Sequence, residues 1–245
     1  MKHFDVDALK KLPHPVFCIH VEETSSTNEN LKVLARRGSA DYTLILADSQ
    51  SAGKGRLGRS FYSEGGLYMS ILLPYDDGTC FFLTHIAALA VARAIEETAG
   101  ETARIKWVND VYVKGRKVSG ILAESIVSPR GRHIVLGIGV NLDTPEDAFP
   151  EEIRAIAGSI KADRSHLAVR ILHHLFTLLD AGDLGAIRRE YRERCFLVGK
   201  EVDVIKEKSC RKATVIGLTD NLALSVRYES GEREDVAFGE VSLRL

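Results

Sequence analysis

The segment at residues 53–60, Gly-Lys-Gly-Arg-Leu-Gly-Arg-Ser, restricts the possible folds more than any other part of the chain. Its three glycines let the backbone approach an anion closely, and its three cations can neutralise the charge. Apolar runs of strand type flank it at residues 43–47 and 67–73. A Walker A loop, which the spacing approaches, must open into a helix and needs lysine where Arg59 stands. The segment therefore predicts a phosphate-binding loop outside the P-loop class, with a solvated basic loop as the alternative.

Apolar periodicity predicts the remaining elements of the first 195 residues. Strands are expected at residues 15–21, 103–113, 116–125 and 134–141, in addition to the two that flank the loop. Helices are expected after Ser26 and at residues 82–98, 166–180 and 184–195. Ser26 and Glu29 have the spacing of a capping box, which would fix the start of the first helix. This order of elements predicts an α/β (α+β) domain with a mixed sheet.

The pattern changes after residue 197. Short alternating strands are expected at residues 201–205, 213–217, 222–228 and 234–238. Asp220-Asn221 and Ser230-Gly231 supply turn signals between them. This C-terminal segment therefore predicts a small β-barrel.

Charge balance and cysteine spacing argue against several other classes of protein. The chain has 33 basic and 34 acidic side chains and a formal net charge of −1, without the basic excess typical of nucleic-acid binding. The four cysteines form no C-x-x-C pair, so neither a zinc site nor a disulfide framework is expected. The first residues are too polar for a secretory signal, and no run of 18 apolar residues occurs. We therefore expect a cytoplasmic protein with no DNA partner and no membrane span.

Five strings occur in a fixed order along the chain. They are Ser26-Thr27-Asn28, residues 47–56 (ADSQSAGKGR), Lys106-Trp107-Val108-Asn109-Asp110, residues 116–122 (RKVSGIL) and Gly137-Ile138-Gly139-Val140-Asn141. In this order and at these intervals they resemble the biotin–protein ligase family over nearly the whole chain. Two departures are Lys54, where the family usually has arginine, and Val108, where it usually has proline. Each string alone is weak, but the five together are specific.

The resemblance implies a biotin site. By motif match, the biotin-binding residues would be Ser26, Thr27, Asn28, Gln50, Gly53, Lys54, Gly55, Arg56, Lys117 and Gly120. A neutral bicyclic urea needs fixed hydroxyl and amide partners in an otherwise apolar pocket, and these residue types meet that need. Taken alone, Ser26 could be only a helix cap and Gln50 an exposed loop residue. Lys54 keeps the charge of the usual arginine but loses its planar fork, which puts a bidentate contact in doubt.

The resemblance also implies an ATP site and two catalytic residues, Lys117 and Arg56. Lys117 would reach both the biotin carboxylate and the α-phosphate, and Arg56 would retain the phosphate of biotinyl-AMP. The ATP-binding set would be Arg56, Arg59, Phe61, Asn109, Lys117 and Asn141. Asp110 would be the carboxylate that assists Mg²⁺, which keeps most of its waters and uses few protein ligands. Taken alone, Lys117 would be a solvated strand lysine and Trp107 a core residue.

The expected architecture is a mixed-sheet catalytic domain of the class II synthetase-like biotin/lipoate ligase type at residues 1–196 and an SH3-like barrel at 197–245. The resemblance implies that biotin and MgATP give biotinyl-5′-AMP, from which biotin passes to a lysine of a biotin carboxyl carrier protein of acetyl-CoA carboxylase. Ser26 lies too near the chain start for the DNA-binding domain that some relatives carry. Monomer and homodimer are both left open. The alternatives are a lipoate ligase or octanoyltransferase, and a non-catalytic module that senses biotin or nucleotide.

Overall fold

The computed structural model describes residues 4–5, 7–55, 58, 61–62, 65–206, 209–236 and 242–244. Its main sheet comprises β1 (Phe17–Thr24), β2 (Thr43–Gln50), β3 (Leu67–Pro74), β4 (Ala103–Lys106), β5 (Asp110–Val113), β6 (Arg116–Ser128) and β7 (Gly131–Val140). The strand order is β1-β2-β3-β7-β6-β5-β4. β1 and β2 are parallel, and the other ladders of this sheet are antiparallel. The predicted mixed sheet is therefore confirmed.

Helices cover both faces of this sheet. They are α1 (Thr27–Arg36), α2 (Leu83–Ala99), α3 (Glu151–Arg154), α4 (Arg164–Ala181) and α5 (Leu184–Arg194). α2 is apolar around most of its circumference because it is buried between the sheet and α4. α1 packs on the opposite face, where Leu31 is fully buried against Ile45 and Val135. Burial of such a leucine stabilises the fold by about 1.5–3 kcal/mol.

Strand alternation decides which residues reach the α1 face. On β7, Ile134 and Leu136 belong to the core under α2, whereas Val135 packs against α1. Continuing the alternation puts Gly137 and Gly139 on the α1 face. Gly120 of β6 is the cross-strand partner of Gly139 and therefore shares that face. The sheet thus has a strip without side chains beside the start of α1.

The single strand predicted at residues 103–113 is wrong, because it is a hairpin of two strands. Lys106 pairs with Asp110, and residues 107–109 form the turn. Trp107 and Val108 are buried there, 5% and 1% exposed, so apolar turn residues mimicked a continuous strand pattern. The peptide bond between them is cis.

The predicted capping box does not form. Ser26 occupies the N-cap position with extended backbone, but its side chain makes no capping hydrogen bond. The N–H of Thr27 donates instead to Gln50 Oε1 at 2.8 Å. Glu29 Oε1 contacts Lys32 and Lys54. At the start of α1, Gln50 from β2 therefore takes the place of the local cap.

A second sheet follows α5. Its strands are β8 (Glu201–Lys206), β9 (Ser209–Leu218), β10 (Leu224–Tyr228), β11 (Arg233–Val236) and β12 (Ser242–Arg244). They are antiparallel in the order β11-β10-β9-β8-β12, as expected for the C-terminal β unit. Among the described ladders none joins β11 to β12, and residues 237 and 238 of the last predicted strand lie outside the described part. A boundary between residues 196 and 197 stays a prediction.

Trp107 joins the second sheet to the first. Its indole Nε1 donates to the carbonyl of Leu222 at 2.7 Å. Buried residues of the second sheet, among them Val202 and Val215, belong to the same apolar cluster as α2. In the described part of the chain, no helix has both the length and the apolar character needed to cross a membrane.

Candidate active site

A buried polar cluster lies where α1 begins. Gln50 Oε1 accepts hydrogen bonds from the backbone N–H and the hydroxyl of Thr27, at 2.8 and 3.1 Å. Ser70 Oγ lies 2.7 Å from Thr27 Oγ1 and 2.6 Å from Asn28 Oδ1. Ser26, Thr27, Asn28 and Ser70 are all at most 4% exposed. The predicted biotin residues Ser26, Thr27, Asn28 and Gln50 are thus brought together.

Strand pairing explains how residues from two motifs meet here. Thr24 pairs with Gln50 at the end of the β1–β2 ladder, so the chain enters α1 beside the end of β2. The backbone then continues the contact, with Ser51 N–H donating to Thr24 O at 3.0 Å and Ala52 N–H to Ser25 O at 2.9 Å. The start of the glycine-rich loop is therefore fixed next to the Ser-Thr-Asn motif.

The glycine strip forms the floor beside this cluster. A Cβ added at Gly137 would collide with Asn28 Oδ1. One at Gly139 would lie 2.6 Å from the Phe61 ring, and one at Gly120 would lie 3.0 Å from it. A Cβ at Gly137 or Gly139 would lie closer than real Cβ atoms come to other atoms, so Asn28 or the Phe61 ring would have to move, and at Gly120 the contact would be tight. Gly120, predicted as a biotin contact, lies in this floor.

Lys117 and Asp110 form an ion pair at the edge of the floor. Lys117 Nζ is 2.7 Å from Asp110 Oδ1, and the two side chains are 30% and 24% exposed. Lys117 Cε lies 3.6 Å from where a Cβ of Gly120 would be. The backbone of Lys117 is held on both sides, by its N–H to Ile156 O and by Gly158 N–H to its carbonyl, each at 2.8 Å. The ammonium therefore has a defined place next to the glycine strip.

The two predicted asparagines have different surroundings. Asn109 Nδ2 donates to the carbonyl of Ile121 at 2.5 Å, so this amide anchors β6. Asn141 Nδ2 donates to Gly158 O at 2.9 Å, next to the backbone of Lys117. Asn141 Oδ1 is buried and has no hydrogen-bond partner within the described structure. A buried acceptor without a partner is costly and suits a ligand that would donate to it or coordinate it.

The two ends of the glycine-rich loop lie beside the polar cluster and the glycine strip. Lys54 Nζ is 2.6 Å from Glu29 Oε1 on α1. The Gly53 carbonyl accepts a hydrogen bond from Phe61 N–H at 2.9 Å, which closes the base of the loop. Phe61, predicted to stack on adenine, packs over Gly120 and Gly139 and lies 6.4 Å from the Tyr68 ring. The predictions for Arg56 and Arg59 concern residues outside the described part.

Sequence reasoning missed Ser70 and Glu124. Ser70 is a polar residue within the apolar run of β3 and is fully buried, a signal that could have been read. Glu124 Oε2 accepts a hydrogen bond from Asn28 Nδ2 at 2.8 Å, and nothing in its own strand pattern indicates that role. Among the described residues, no group of three or more His, Cys, Asp or Glu side chains could hold a metal ion alone.

Comparison with known proteins identifies the family. Residues 21–141 match the model of the biotin/lipoate A/B protein ligase family. The biotin–[acetyl-CoA-carboxylase] ligase of Paracoccus denitrificans is 40% identical over 226 residues, which cover 86% of this chain and 94% of that protein. The biotin protein ligase of Aquifex aeolicus, in a structure with biotin and ATP, has a TM-score of 0.79 at 29% identity and covers 93% of this chain and 98% of its own.

A longer relative matches over part of its length. The bifunctional ligase/repressor BirA of Bacillus spizizenii is 37% identical over 165 residues, covering 63% of this chain but 51% of that protein. The match thus spans about half of that relative. The chain belongs to the biotin/lipoate A/B protein ligase family. Its similarity is to the biotin–protein ligases of that family, so the resemblance inferred from the five strings is confirmed.

Proposed function

We propose that this protein is an ATP-dependent biotin–protein ligase, which forms biotinyl-5′-AMP and transfers biotin to a lysine of a carrier domain. One observation carries the proposal: the buried cluster of Thr27, Asn28 and Gln50 and the ammonium of Lys117 border the same glycine floor. Gly137 beside the cluster and Gly139 beside Phe61 are two residues apart, about 7 Å along a strand. A ligand with a polar head and a short acid chain would reach from the polar cluster to the ammonium.

The polar cluster suits the head of biotin. Hydroxyl and amide groups at fixed positions can satisfy the donors and acceptors of a neutral urea, and a site built for them rejects analogues that lack them. Gly137 and Gly139 let the Asn28 amide and the Phe61 ring, which would border the ligand, lie close to the backbone. These features support biotin as the acid that is activated.

Lys117 suits the first chemical step. The biotin carboxylate attacks the α-phosphorus of ATP, the bond from that phosphorus to the bridging oxygen breaks, and pyrophosphate leaves with the electron pair. Two anions approach one another, and negative charge grows on the phosphoryl oxygens. An ammonium held by Asp110 at 2.7 Å needs no reorganisation to stabilise that charge.

The second step takes place at the same candidate site. The ε-amine of the acceptor lysine attacks the acyl carbon of the mixed anhydride, the amide bond forms, and AMP leaves. The Paracoccus relative is named as a ligase that acts on acetyl-CoA carboxylase, which supports a biotin carboxyl carrier domain of that enzyme as the acceptor. The complex of the Aquifex relative with biotin and ATP supports the two small substrates.

The residues present fit Mg²⁺ as a companion of ATP. Asp110 offers a carboxylate, and Asn141 Oδ1 is a buried oxygen with no hydrogen-bond partner among the described residues. Mg²⁺ takes one or two such oxygens together with substrate phosphates and water. When bound, the ion would neutralise charge on the departing pyrophosphate.

Biotin-dependent exchange of labelled pyrophosphate into ATP tests the proposed activity. We expect exchange with biotin, little with lipoate or octanoate, and AMP release with labelling when a biotin carboxyl carrier domain is added. Exchange driven by lipoate would identify a lipoate ligase instead. Biotin binding without exchange would identify a sensing module and overturn the proposal.

A further inference from the structure

A chain of charged side chains connects the glycine-rich loop to the polar cluster. Lys54 Nζ is 2.6 Å from Glu29 Oε1, and the same oxygen is 2.7 Å from Lys32 Nζ. Lys32 Nζ is in turn 3.0 Å from Glu124 Oε1. Lys54 lies in the loop, Glu29 and Lys32 on α1 and Glu124 on β6, so three separate parts of the fold are joined.

This network of charged side chains ends at Asn28, a buried residue of the candidate site. Glu124 Oε2 accepts a hydrogen bond from Asn28 Nδ2 at 2.8 Å, while Asn28 Oδ1 lies 2.6 Å from Ser70 Oγ. These two contacts fix which way the Asn28 amide points. The orientation of Asn28 and the position of Lys54 are therefore set by one connected network.

The network is more than a set of surface ion pairs. Lys54 is 51% exposed, and its pair with Glu29 alone would contribute little stability. Lys32, however, is 14% exposed and lies between two carboxylates. Burial by itself would lower the pKa of Lys32, but hydrogen bonds to Glu29 and Glu124 outweigh it and raise that pKa. Hydrogen bonds from Lys32 and then from Lys54 hold the pKa of Glu29 below its usual range.

Lysine at position 54 has a particular need for a counter-charge. Arginine carries a rigid planar fork, whereas lysine is a point charge on a flexible four-carbon stem. The backbone before Lys54 is fixed by the hydrogen bonds of Ser51 and Ala52 to the end of β1 and the turn after it. The backbone contacts do not fix the ammonium itself, but Glu29 does.

We propose that Glu29 is a positioning residue, which holds the Lys54 ammonium beside the first turn of α1, next to the proposed biotin site, so that its remaining N–H groups serve the substrate. This inference rests on the proposed function, since it assigns Lys54 to biotin. Glu29 itself touches no substrate and acts through Lys54. Lys32 keeps the Glu29 carboxylate in place from the other side.

Pyrophosphate exchange at varied biotin concentration tests the role of Glu29. In Glu29→Gln we expect the KM for biotin to rise roughly 5- to 10-fold with little change in kcat, because a binding group is displaced and the reacting groups are untouched. Glu29→Asp should recover part of the loss. Glu23→Gln, which alters an exposed carboxylate of β1, is the matched control and should behave as the wild type.

A double-mutant cycle separates positioning from a general effect on the fold. Lys54→Met should raise the KM for biotin, and adding Glu29→Gln should raise it no further, because the two residues act as a unit. If Glu29→Gln unfolds at a lower temperature than the wild type, Lys54→Met still tests the pair, since it does not change α1.

Two results would overturn the inference: equal KM values in Glu29→Gln and Glu23→Gln, or independent effects of Glu29→Gln and Lys54→Met. Wild-type protein that gives no biotin-dependent exchange would instead refute the proposed function. The wild-type and variant arms of one assay therefore distinguish the two failures.

Discussion

At the level of single residues, the proposed chemistry depends on the ion pair of Lys117 and Asp110. Both side chains are about a quarter to a third exposed, so their charges are only partly screened. Asp110 restricts the Lys117 ammonium to one position beside Gly120 before any ligand arrives. Such a prearranged charge lowers the barrier of a step in which negative charge grows.

Replacing Lys117 should separate its catalytic role from a structural one. We expect Lys117→Ala to slow biotinyl-AMP formation by on the order of 10²–10³, the cost of losing one transition-state electrostatic donor. Asp110→Asn should cause a smaller loss, because the ammonium remains but is less restrained. Single-turnover adenylate formation measures both. Lys114→Ala, in the exposed turn before β6, is the control, and near-normal turnover in Lys117→Ala would refute the assignment.

Arg56 carries a different prediction, which rests on the motif match alone. Arg56→Gly should loosen retention of the phosphate of biotinyl-AMP, because a cation that neutralises it is lost. Activated biotin would then escape and label lysines of bystander proteins. The release rate of labelled biotinyl-AMP measures this. An unchanged release rate would argue against the role.

Most described residues of the candidate site could be named from the sequence, because each motif is one short segment. The Ser-Thr-Asn and Gly-x-Gly-x-Asn strings each place several groups on one short segment, so recognising a string gives all of them. Ser70 and Glu124 could not be found this way, because their roles depend on partners 42 and 96 residues away. Contacts of that kind follow from the packing of β3 and β6 against α1.

Among the elements, β6 and β7 determine the shape of the site. At positions 120, 137 and 139 their residues on the α1 face are glycine, so Asn28 and Phe61 pack directly against the two strands there. Glycine weakens a strand because it packs nothing and loses more entropy on folding. Glycine at these three positions is explained by the close approach of Asn28 and Phe61 to the two strands.

Filling this strip should damage binding. Gly137→Ala would drive a Cβ into Asn28 Oδ1, which cannot move aside easily because Glu124 and Ser70 hold that amide. We expect destabilisation of about 1–3 kcal/mol, typical of overpacking, and at least a tenfold loss of biotin affinity. Calorimetric titration with biotin measures the second effect.

Gly217→Ala is the matched control for that substitution. Gly217 also lies in a strand, β9, but nothing is within 4 Å of an added Cβ there. Biotin affinity in Gly217→Ala should equal that of the wild type. Equal affinity in Gly137→Ala would show that the strip is not part of the biotin site.

The spacing of apolar residues predicted helices and strands well where one face is buried, and poorly where a turn is itself buried. The helices near residues 82–98, 166–180 and 184–195 appear within a few residues of their expected bounds. The prediction of one strand at residues 103–113 was wrong because Trp107 and Val108 are buried in a turn, where apolar residues follow no periodic pattern. The short helix α3 was not predicted either, since four residues are too few to establish a pattern.

At the scale of the whole molecule, Trp107 connects two sheets. It is the sole tryptophan of the chain, is 5% exposed, and donates to the Leu222 carbonyl between β9 and β10. The same turn precedes Asp110, so the contact with the second sheet lies three residues before the residue that holds Lys117. Packing between the sheets therefore supports the site.

Trp107→Phe should destabilise the whole fold. The buried Leu222 carbonyl would lose its donor, and the smaller ring would leave space, for a combined cost of about 2–4 kcal/mol. Chemical denaturation followed by circular dichroism measures this. Phe17→Leu, at an aromatic residue 67% exposed, is the control and should change stability by less than about 0.5 kcal/mol. Equal stability of both variants would contradict the role of Trp107.

The bare floor also limits how substrate acceptance could be altered by engineering. Glycine is already the smallest residue, so every substitution at positions 120, 137 and 139 subtracts volume and none can add it. Room for a bulkier vitamin analogue above Gly120 and Gly139 would come from a smaller side chain at position 61, because the Phe61 ring packs against both glycines. A library aimed at such analogues should vary Phe61 and keep the two strands beneath it unchanged.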